Sequence, residues 1–250
     1  MTIDYPKSEN IPGLHRLWQE AFGDSDAFLD SFFATGFSPR RCRCIAEEGQ
    51  IVAAHYWFDC SCNGRKIAYL YAVATARSHR GQGLCKGLMA DTHKLLASLG
   101  YSGAILVPGE NSLFEFYGNQ GYKTIACAEN FSCKAGKISV AVEALSPGDY
   151  AARRRQLLPD KGVLQEGENL DFLSAISGLY GGDGWVMAAA LDGSTLTAME
   201  FLGDRQVAPG ILTALGMAEG AFRAPGNAPF AMYLGFDSGE MPAYFGLAFD

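Results

Sequence analysis

The chain has 250 residues, 48% of them hydrophobic and 19% charged, and its 27 acidic and 20 basic side chains leave a net charge of −7. Such a composition can bury a core, which excludes a disordered or low-complexity protein, and a field of that sign disfavours a nucleic-acid partner. No apolar run approaches the ~20 residues of a bilayer span, and Met1 to Lys7 show no basic segment leading into an apolar one. The expectation is a soluble, cytoplasmic protein with no membrane partner.

In chain order, a short strand near Ile3 to Tyr5 precedes Ile11, Leu14, Leu17, Trp18 and Phe22, which recur at helical spacing. Gly23 is placed to close that helix, and Asp24 or Ser25 to cap a second one carrying Phe28, Leu29, Phe32 and Phe33 and ending near Gly36. The period then changes. Arg41 to Glu47 and Gln50 to Asp59 read as a hairpin around Glu48-Gly49, and Asn63-Gly64 is a tight-turn signal into a third strand, Lys66 to Thr75. A polar loop from Ala76 to Gln82 leads into a helix over Gly83 to Leu99, ended by Gly100. A buried strand, Ala104 to Val107, a helix, Asn111 to Asn119, and a strand, Tyr122 to Cys133, complete an α/β unit organised around one sheet.

Composition loosens from Ala135 to Asp149, which suggests domains at 1–135 and 136–250, the second a smaller α+β domain. Arg153-Arg154-Arg155 reads as a solvated helix face. Trp185 to Leu191 and Thr195 to Leu202 form a hairpin around Asp192-Gly193. Ile211 to Phe222 reads as a helix, and Pro229 to Phe236 and Tyr244 to Phe249 as strands. The order loosely echoes the first half, as a degenerate internal repeat would.

Seven cysteines, an odd number, favour reduced thiols over a disulfide framework. Cys42/Cys44 and Cys60/Cys62 each share a strand face, but CxC is not the usual zinc knuckle. Small core side chains are the expected role, with no metal.

The chemistry concentrates in the stretch from Leu70 to Met89, where a strand runs through a glycine loop into an amphipathic helix. Glycines let successive N–H groups converge, and the helix N-terminus adds partial positive charge, which together suit a pyrophosphate. A Walker loop, GxxxxGK[ST], is absent, and the dinucleotide fingerprint GxGxxG fails because Lys86 stands at the last glycine. Arg80-Gly81-Gln82-Gly83-Leu84-Cys85 resembles the coenzyme A loop of the GNAT superfamily of N-acetyltransferases, Arg/Gln-x-x-Gly-x-Gly/Ala, with cysteine at the last position. The resemblance extends upstream to Val73-Ala74-Thr75, although Arg77 replaces a frequent proline. Downstream it extends to Asn111 through Tyr117 and Gly121-Tyr122. Tyr117-Gly-x-x-Gly121-Tyr122, the early Leu17-Trp18 and Phe22-Gly23-Asp24, and the added C-terminal region are similar to the enhanced-intracellular-survival branch. The likeness covers roughly residues 1–135.

The resemblance implies a GNAT-like mixed sheet flanked by helices, with two parallel strands parting to admit the pantetheine arm of acetyl-CoA, a co-substrate. Val73, Thr75, Arg80, Gly81, Gln82, Gly83, Leu84, Cys85, Lys86 and Asn111 are the implied coenzyme contacts. The bulkier Cys85 thiol is expected to cost some fit. A backbone N–H near Val73 would polarise the thioester carbonyl. Tyr117 is the implied proton donor to the departing thiolate, with a ring packed on the sheet as the alternative. A general base is not identifiable: Glu110 is the first candidate, Glu115 and His55 are weaker, and His79 is expected to meet solvent or phosphate. The branch brings its C-terminal carboxylate to the active site, which makes Asp250 notable. The implied activity is direct transfer of acetyl to a primary amine of a small molecule or peptide. A homodimer is among the expected assemblies, and a non-catalytic acyl-CoA-binding or sensing module is the alternative.

Overall fold

The computed structural model describes residues 2–249. Its contacts divide the chain into two units, Met1–Lys123 with Tyr233–Glu240, and Thr124–Met232 with Met241–Asp250. Each is a mixed α/β assembly built on a sheet.

In the first unit, strand β1 (Thr2–Asp4) precedes helix α1 (Ile11–Phe22). Gly23 ends α1 in the left-handed region at φ 75°, where a residue without Cβ carries no strain. The Ser25 hydroxyl accepts the Phe28 amide to cap α2 (Asp26–Ser31), and a π-helical turn, Phe32–Gly36, extends it. Strands β2 (Cys42–Glu47), β3 (Gln50–Cys62) and β4 (Arg65–Thr75) form an antiparallel meander, with Asn63 and Gly64 both at positive φ in the second turn. Helix α3 (Leu84–Ser98) crosses over to β5 (Gly103–Leu106), which lies parallel to β4, and α4 (Asn111–Gly118) follows. The strand order is β1-β2-β3-β4-β5.

Two different cores cover that sheet. On one face Trp18 of α1 and Phe32 of the π-helical turn pack against Tyr56, tilted and edge-on, with centroids 5.2 and 5.0 Å away. On the other, Leu88 of α3 packs on Ile45, Val52 and Ala53. His55 is wholly buried there, with Nε2 2.8 Å from the Thr92 hydroxyl. Thr92 spends its own proton on the Leu88 carbonyl, so His55 must donate from Nε2, which leaves Nδ1 as an acceptor without a partner.

The second unit contains β6 (Lys123–Lys134), β7 (Glu143–Ala144), α5 (Pro147–Leu157), β8 (Leu164–Gln165), α6 (Glu168–Ile176), β9 (Gly178–Gly182), β10 (Trp185–Asp192), β11 (Thr195–Leu202), α7 (Ala208–Leu215), β12 (Glu219–Pro225) and the first part of β13 (Ala228–Gly235). Its strand order includes β7-β9-β10-β11-β12-β6. The pattern of the first unit recurs: an edge strand, two helices, an antiparallel meander, and a crossover helix to a strand parallel to the last of the three. This is the internal repeat that the order of elements suggested. The expected cut between residues 135 and 136 falls after β6, whereas the contacts group β6 with the second unit and Tyr233–Glu240 with the first.

Four expectations are corrected. The stretch Ile211 to Phe222 is not one helix, because Gly216 adopts φ 70° and ends α7, and β12 begins at Glu219. Tyr244 to Phe249 is not a strand: it is buried irregular chain, held by a bridge between Gly162 and Tyr244. The helix expected around Arg153 to Arg155 is α5, whereas helix α6 and strand β9 were not anticipated. Arg154 is not solvated, although Arg153 and Arg155 are, paired with Glu143 and Glu166. Its guanidinium, 2% exposed, reaches both carboxylate oxygens of Glu200, at 2.5 and 3.0 Å, and the Val163 carbonyl at 3.2 Å. Tyr244 donates to the same carboxylate at 3.1 Å, so one buried ion pair anchors the C-terminal segment. Removing one partner of such a pair leaves an uncompensated buried charge, which costs about 3–5 kcal/mol.

Burial holds the His55 pKa down to about 3, and that of His93, on α3, down to about 4. Each is neutral in the folded protein and titrates near 6.5 once unfolded, so stability is full above pH 6.5 and falls as pH drops toward 3. Chemical melts should show a loss on the order of 3–5 kcal/mol over that window for His55. His55→Gln should flatten the slope; an unchanged slope would show that His55 does not govern it.

Candidate active site

The site lies where β4 and β5 part. Their ladder pairs Ile67 with Gly103, Ala68 with Ala104 and Tyr69 with Ile105, and then stops, while β4 continues to Thr75. Against β3, Ala54 pairs with Ala74 and Tyr56 with Tyr71, so His55 alone opposes both Ala72 and Val73. This is a β-bulge, and Ala72 sits in it at φ 49°. Beyond the bulge the Ala76 amide bonds the Val52 carbonyl on β3. Strand alternation therefore turns the backbone polar groups of Val73 and Thr75 toward the edge that β5 has left.

Immediately after β4, the Arg77–His79 turn leads into Gly81 and Gly83, both at φ 76°. A Cβ at either would meet no atom within 4 Å, so the space beside them is open, but the backbone conformation strains any L side chain. Gly83 is the N-cap of α3, and the first-turn amides of Leu84, Cys85 and Lys86 have no partner within the helix. Amides unbonded at a helix N-terminus, beside two left-handed glycines and Lys86, are an arrangement that can cradle an anion.

The loop side chains are individually placed. Arg80 Nε donates to the Thr75 carbonyl at 3.2 Å, and the Gln82 amide to the Ser78 carbonyl at 3.4 Å. His79 meets Glu47 through Nε2 at 2.9 Å and Ser78 through Nδ1 at 2.8 Å. A Glu20 carboxylate oxygen accepts the Arg77 amide at 2.6 Å, tying the loop to α1, a contact between positions too far apart in the chain for local pattern to reveal.

Tyr117, on α4, is 6% exposed, and its ring lies edge-on to that of Tyr122, centroids 5.9 Å apart. Burial, with a contribution from Cys85, holds its hydroxyl proton well above the usual tyrosine range near 10. The Cys85 thiol is pushed up to about 11 by burial, so it is a protonated, packed side chain. Glu110 is exposed at the N-cap of α4, where it accepts from the Ser112 hydroxyl, and Asn111 and Glu115 are exposed on the same helix. His55 is enclosed beneath α3 and has no open path to an acceptor. Asp250 lies outside the described residues. Cys42, Cys44, Cys60 and Cys62 are buried and not joined in disulfides, and no group of three or more His, Cys, Asp or Glu converges among the described residues. No helix among them is long and apolar enough to cross a membrane.

Residues 2–125 match the family model of the acetyltransferase (GNAT) domain. The first half of the chain is a GNAT domain. Solved structures share the fold across both units. A GCN5-related N-acetyltransferase from Kribbella flavida, 17% identical, superposes with a TM-score of 0.71 over 95% of this chain and 71% of its own. One from Anabaena variabilis, 15% identical, gives 0.69 over 93% and 72%. Eis1 from Mycobacterium abscessus, 12% identical, gives 0.62 over 92% and 66%. No curated protein sequence matches the chain.

The second unit repeats the scaffold of the GNAT domain and lacks its cradle. Met199 is an extra residue between the pairs Ala188–Glu200 and Ala189–Ala198, and the β11–β12 ladder stops at Ala198–Phe222 while β11 runs on to Leu202. Bulge and parting recur. In place of two left-handed glycines, however, Asp204 caps the Arg205–Val207 turn, and Pro209 removes an amide from the first turn of α7. Arg205 donates to the Pro225 carbonyl at 2.8 Å, pairs with Glu129 at 3.0 Å and lies over the Phe131 ring. Those groups are committed to one another, and no open anion cradle is left.

At pH 7.5 a thiol of pKa about 11 is ionised about 100-fold less than one of pKa 9. Since a thiolate of higher pKa is also more nucleophilic, Cys85 in the intact protein should react with iodoacetamide about tenfold more slowly than a small unhindered thiol, as read by peptide mass spectrometry. A rate equal to that thiol's would mean that the side chain is not packed as described.

Proposed function

We propose that the GNAT domain transfers the acetyl group of acetyl-CoA directly to a primary amine of a small molecule or peptide. The observation that carries this reading is the conjunction, within one short stretch of chain, of a parted parallel strand pair, a bulge at Ala72–Val73 and a cradle at Gly81–Lys86. A pantetheine arm carries amides along its length and a pyrophosphate at one end, so it matches an unpaired strand edge that leads to convergent N–H groups. Residues Val73 and Thr75 would pair with the arm, and Gly81 to Lys86 would hold the pyrophosphate chiefly through main-chain donors. Arg80 and Gln82 shape the loop, and Asn111, at the start of α4, would be a further coenzyme contact. Within the superfamily, the Tyr117 to Tyr122 motif and the second unit lead us to place the chain in the enhanced-intracellular-survival-type branch.

In this reading the neutral amine attacks the thioester carbon, and the carbonyl oxygen gathers negative charge against a backbone N–H near Val73. Collapse of the tetrahedral intermediate breaks the C–S bond and releases a thiolate of pKa near ~8.5 in water. Tyr117 keeps its proton through neutral pH, so it can donate a hydrogen bond and then the proton as that thiolate forms. The burial that makes the phenol a weak acid also makes a thiolate leaving into the cleft a stronger base. Water relays the ammonium proton away, with exposed Glu110 at the N-cap of α4 as the candidate carboxylate. One observation favours a second reading, an acyl-CoA-binding module without catalysis: His55 is enclosed and His79 is committed to Glu47, so neither histidine is free to serve as the base.

Calorimetric titration of acetyl-CoA into wild type, Gly83→Asn and Gly83→Asp tests the cradle. Both side chains tolerate a left-handed backbone comparably, so the aspartate should weaken binding at least about tenfold more than the asparagine, by charge alone. Equal affinities would remove the pyrophosphate from this loop. With an amine acceptor, Tyr117→Phe should lower kcat on the order of 100-fold and leave the KM for acetyl-CoA nearly unchanged. Unchanged affinity together with unchanged thioester turnover would instead support the binding module.

A further inference from the structure

Tyr122 is buried at 3% exposure, and its hydroxyl lies 2.8 Å from Nε2 of His93. Burial keeps the phenol protonated well above its ordinary range and keeps His93 neutral, with a pKa pushed down to about 4. A buried O–H needs an acceptor, and unprotonated Nε2 is the one beside it, so the bond runs from Tyr122 to His93, which carries its own proton on Nδ1. The His93 ring is backed by Phe236, centroids 5.7 Å apart, which limits its own rotation.

Both residues bear on Tyr117. The Tyr122 ring meets the Tyr117 ring edge-on at 5.9 Å, and the Tyr122 amide bonds the Tyr117 carbonyl at 3.2 Å. Helix α3 carries Cys85 in its first turn, next to the cradle, and His93 two turns later. One rigid helix therefore holds the anion cradle at one end and the anchor of Tyr117's neighbour further along. Tyr117 is thus tied to α3 through Tyr122, in addition to being carried by α4.

We infer that His93 and Tyr122 are positioning residues, whose hydrogen bond pins the Tyr122 ring as the wall that orients the Tyr117 hydroxyl toward the parted strands. The catalytic consequence rests on the acetyltransferase reading, and the structural claim does not. Neither residue touches the coenzyme in this assignment. The contribution to turnover passes entirely through Tyr117, so it disappears when the Tyr117 hydroxyl is absent.

The experiment places 3-fluorotyrosine at position 117 of the full chain and records fluorine spectra without ligand. Wild type should give one sharp resonance. Tyr122→Phe, which removes a single oxygen, and His93→Leu should broaden or split it, and His93→Gln, whose amide oxygen can accept the Tyr122 proton, should restore it. Spectra of Tyr122→Phe and His93→Leu that superpose on wild type would overturn the inference, whether or not an acceptor amine is known. In turnover, Tyr122→Phe and His93→Leu should each lower kcat about tenfold with the KM for acetyl-CoA within about twofold. Neither should lower it further in a Tyr117→Phe background. Losses that multiply in the double variants would show that the pair acts independently of Tyr117 and would refute the assignment. A Tyr117→Phe variant with full kcat would instead refute the catalytic role of Tyr117, leaving the fluorine spectra to decide the positioning role.

Discussion

Unpaired backbone hydrogen-bonding groups at a partly buried strand edge are costly, and that constraint organises the first unit. The β4–β5 ladder is parallel and lasts only from Ile67–Gly103 to Tyr69–Ile105. Past that point the Ala72–Val73 bulge re-aims the chain, and the edge of β4 keeps donors and acceptors that no protein strand satisfies. The glycine loop and the start of α3 add further amides that helix geometry leaves unbonded. Coenzyme recognition, in the proposed reading, is the completion of this interrupted ladder by a ligand with a peptide-like arm and an anionic end.

Helix α3 then appears as the element on which the rest of the site depends. Its first turn forms the cradle, Leu88 seats it on the sheet, Thr92 takes the buried His55 proton, and His93 takes that of Tyr122. Hydrogen bonds of this kind in a low-dielectric interior are directional and costly to break, so they fix the rotation of the helix as well as its distance from the sheet. The Arg43–Asp91 ion pair, at 2.7 Å, holds the exposed flank of the same helix to β2.

The second unit shows how little separates a scaffold from a site. It repeats the meander, the crossover helix, the bulge and the parted strands, yet Pro209, Asp204 and the Arg205–Glu129 pair occupy the positions where the first unit leaves amides and open space. What remains is a core, closed by aromatic packing among Phe131, Phe201 and Phe222 and by the buried Arg154–Glu200 pair. The same carboxylate of Glu200 anchors the C-terminal segment through Tyr244.

Local chemistry made much of the first unit readable from sequence. Helical periodicity placed α1 and α3, Asn63-Gly64 placed a turn, and Gly81 and Gly83 announced a loop that only residues without Cβ adopt comfortably, because such signals depend on near neighbours in the chain. Burial of Arg154 was not readable, since a triplet of arginines looks the same whether or not a distant Glu200 neutralises the middle one. Nor was the break at Gly216, where tertiary pairing of β12 overrode an apolar run of helical appearance. The roles of His55 and His93 also waited for the fold. A histidine's protonation follows from what surrounds it, and Thr92 and Tyr122 become partners only when helix, sheet and loop are packed together.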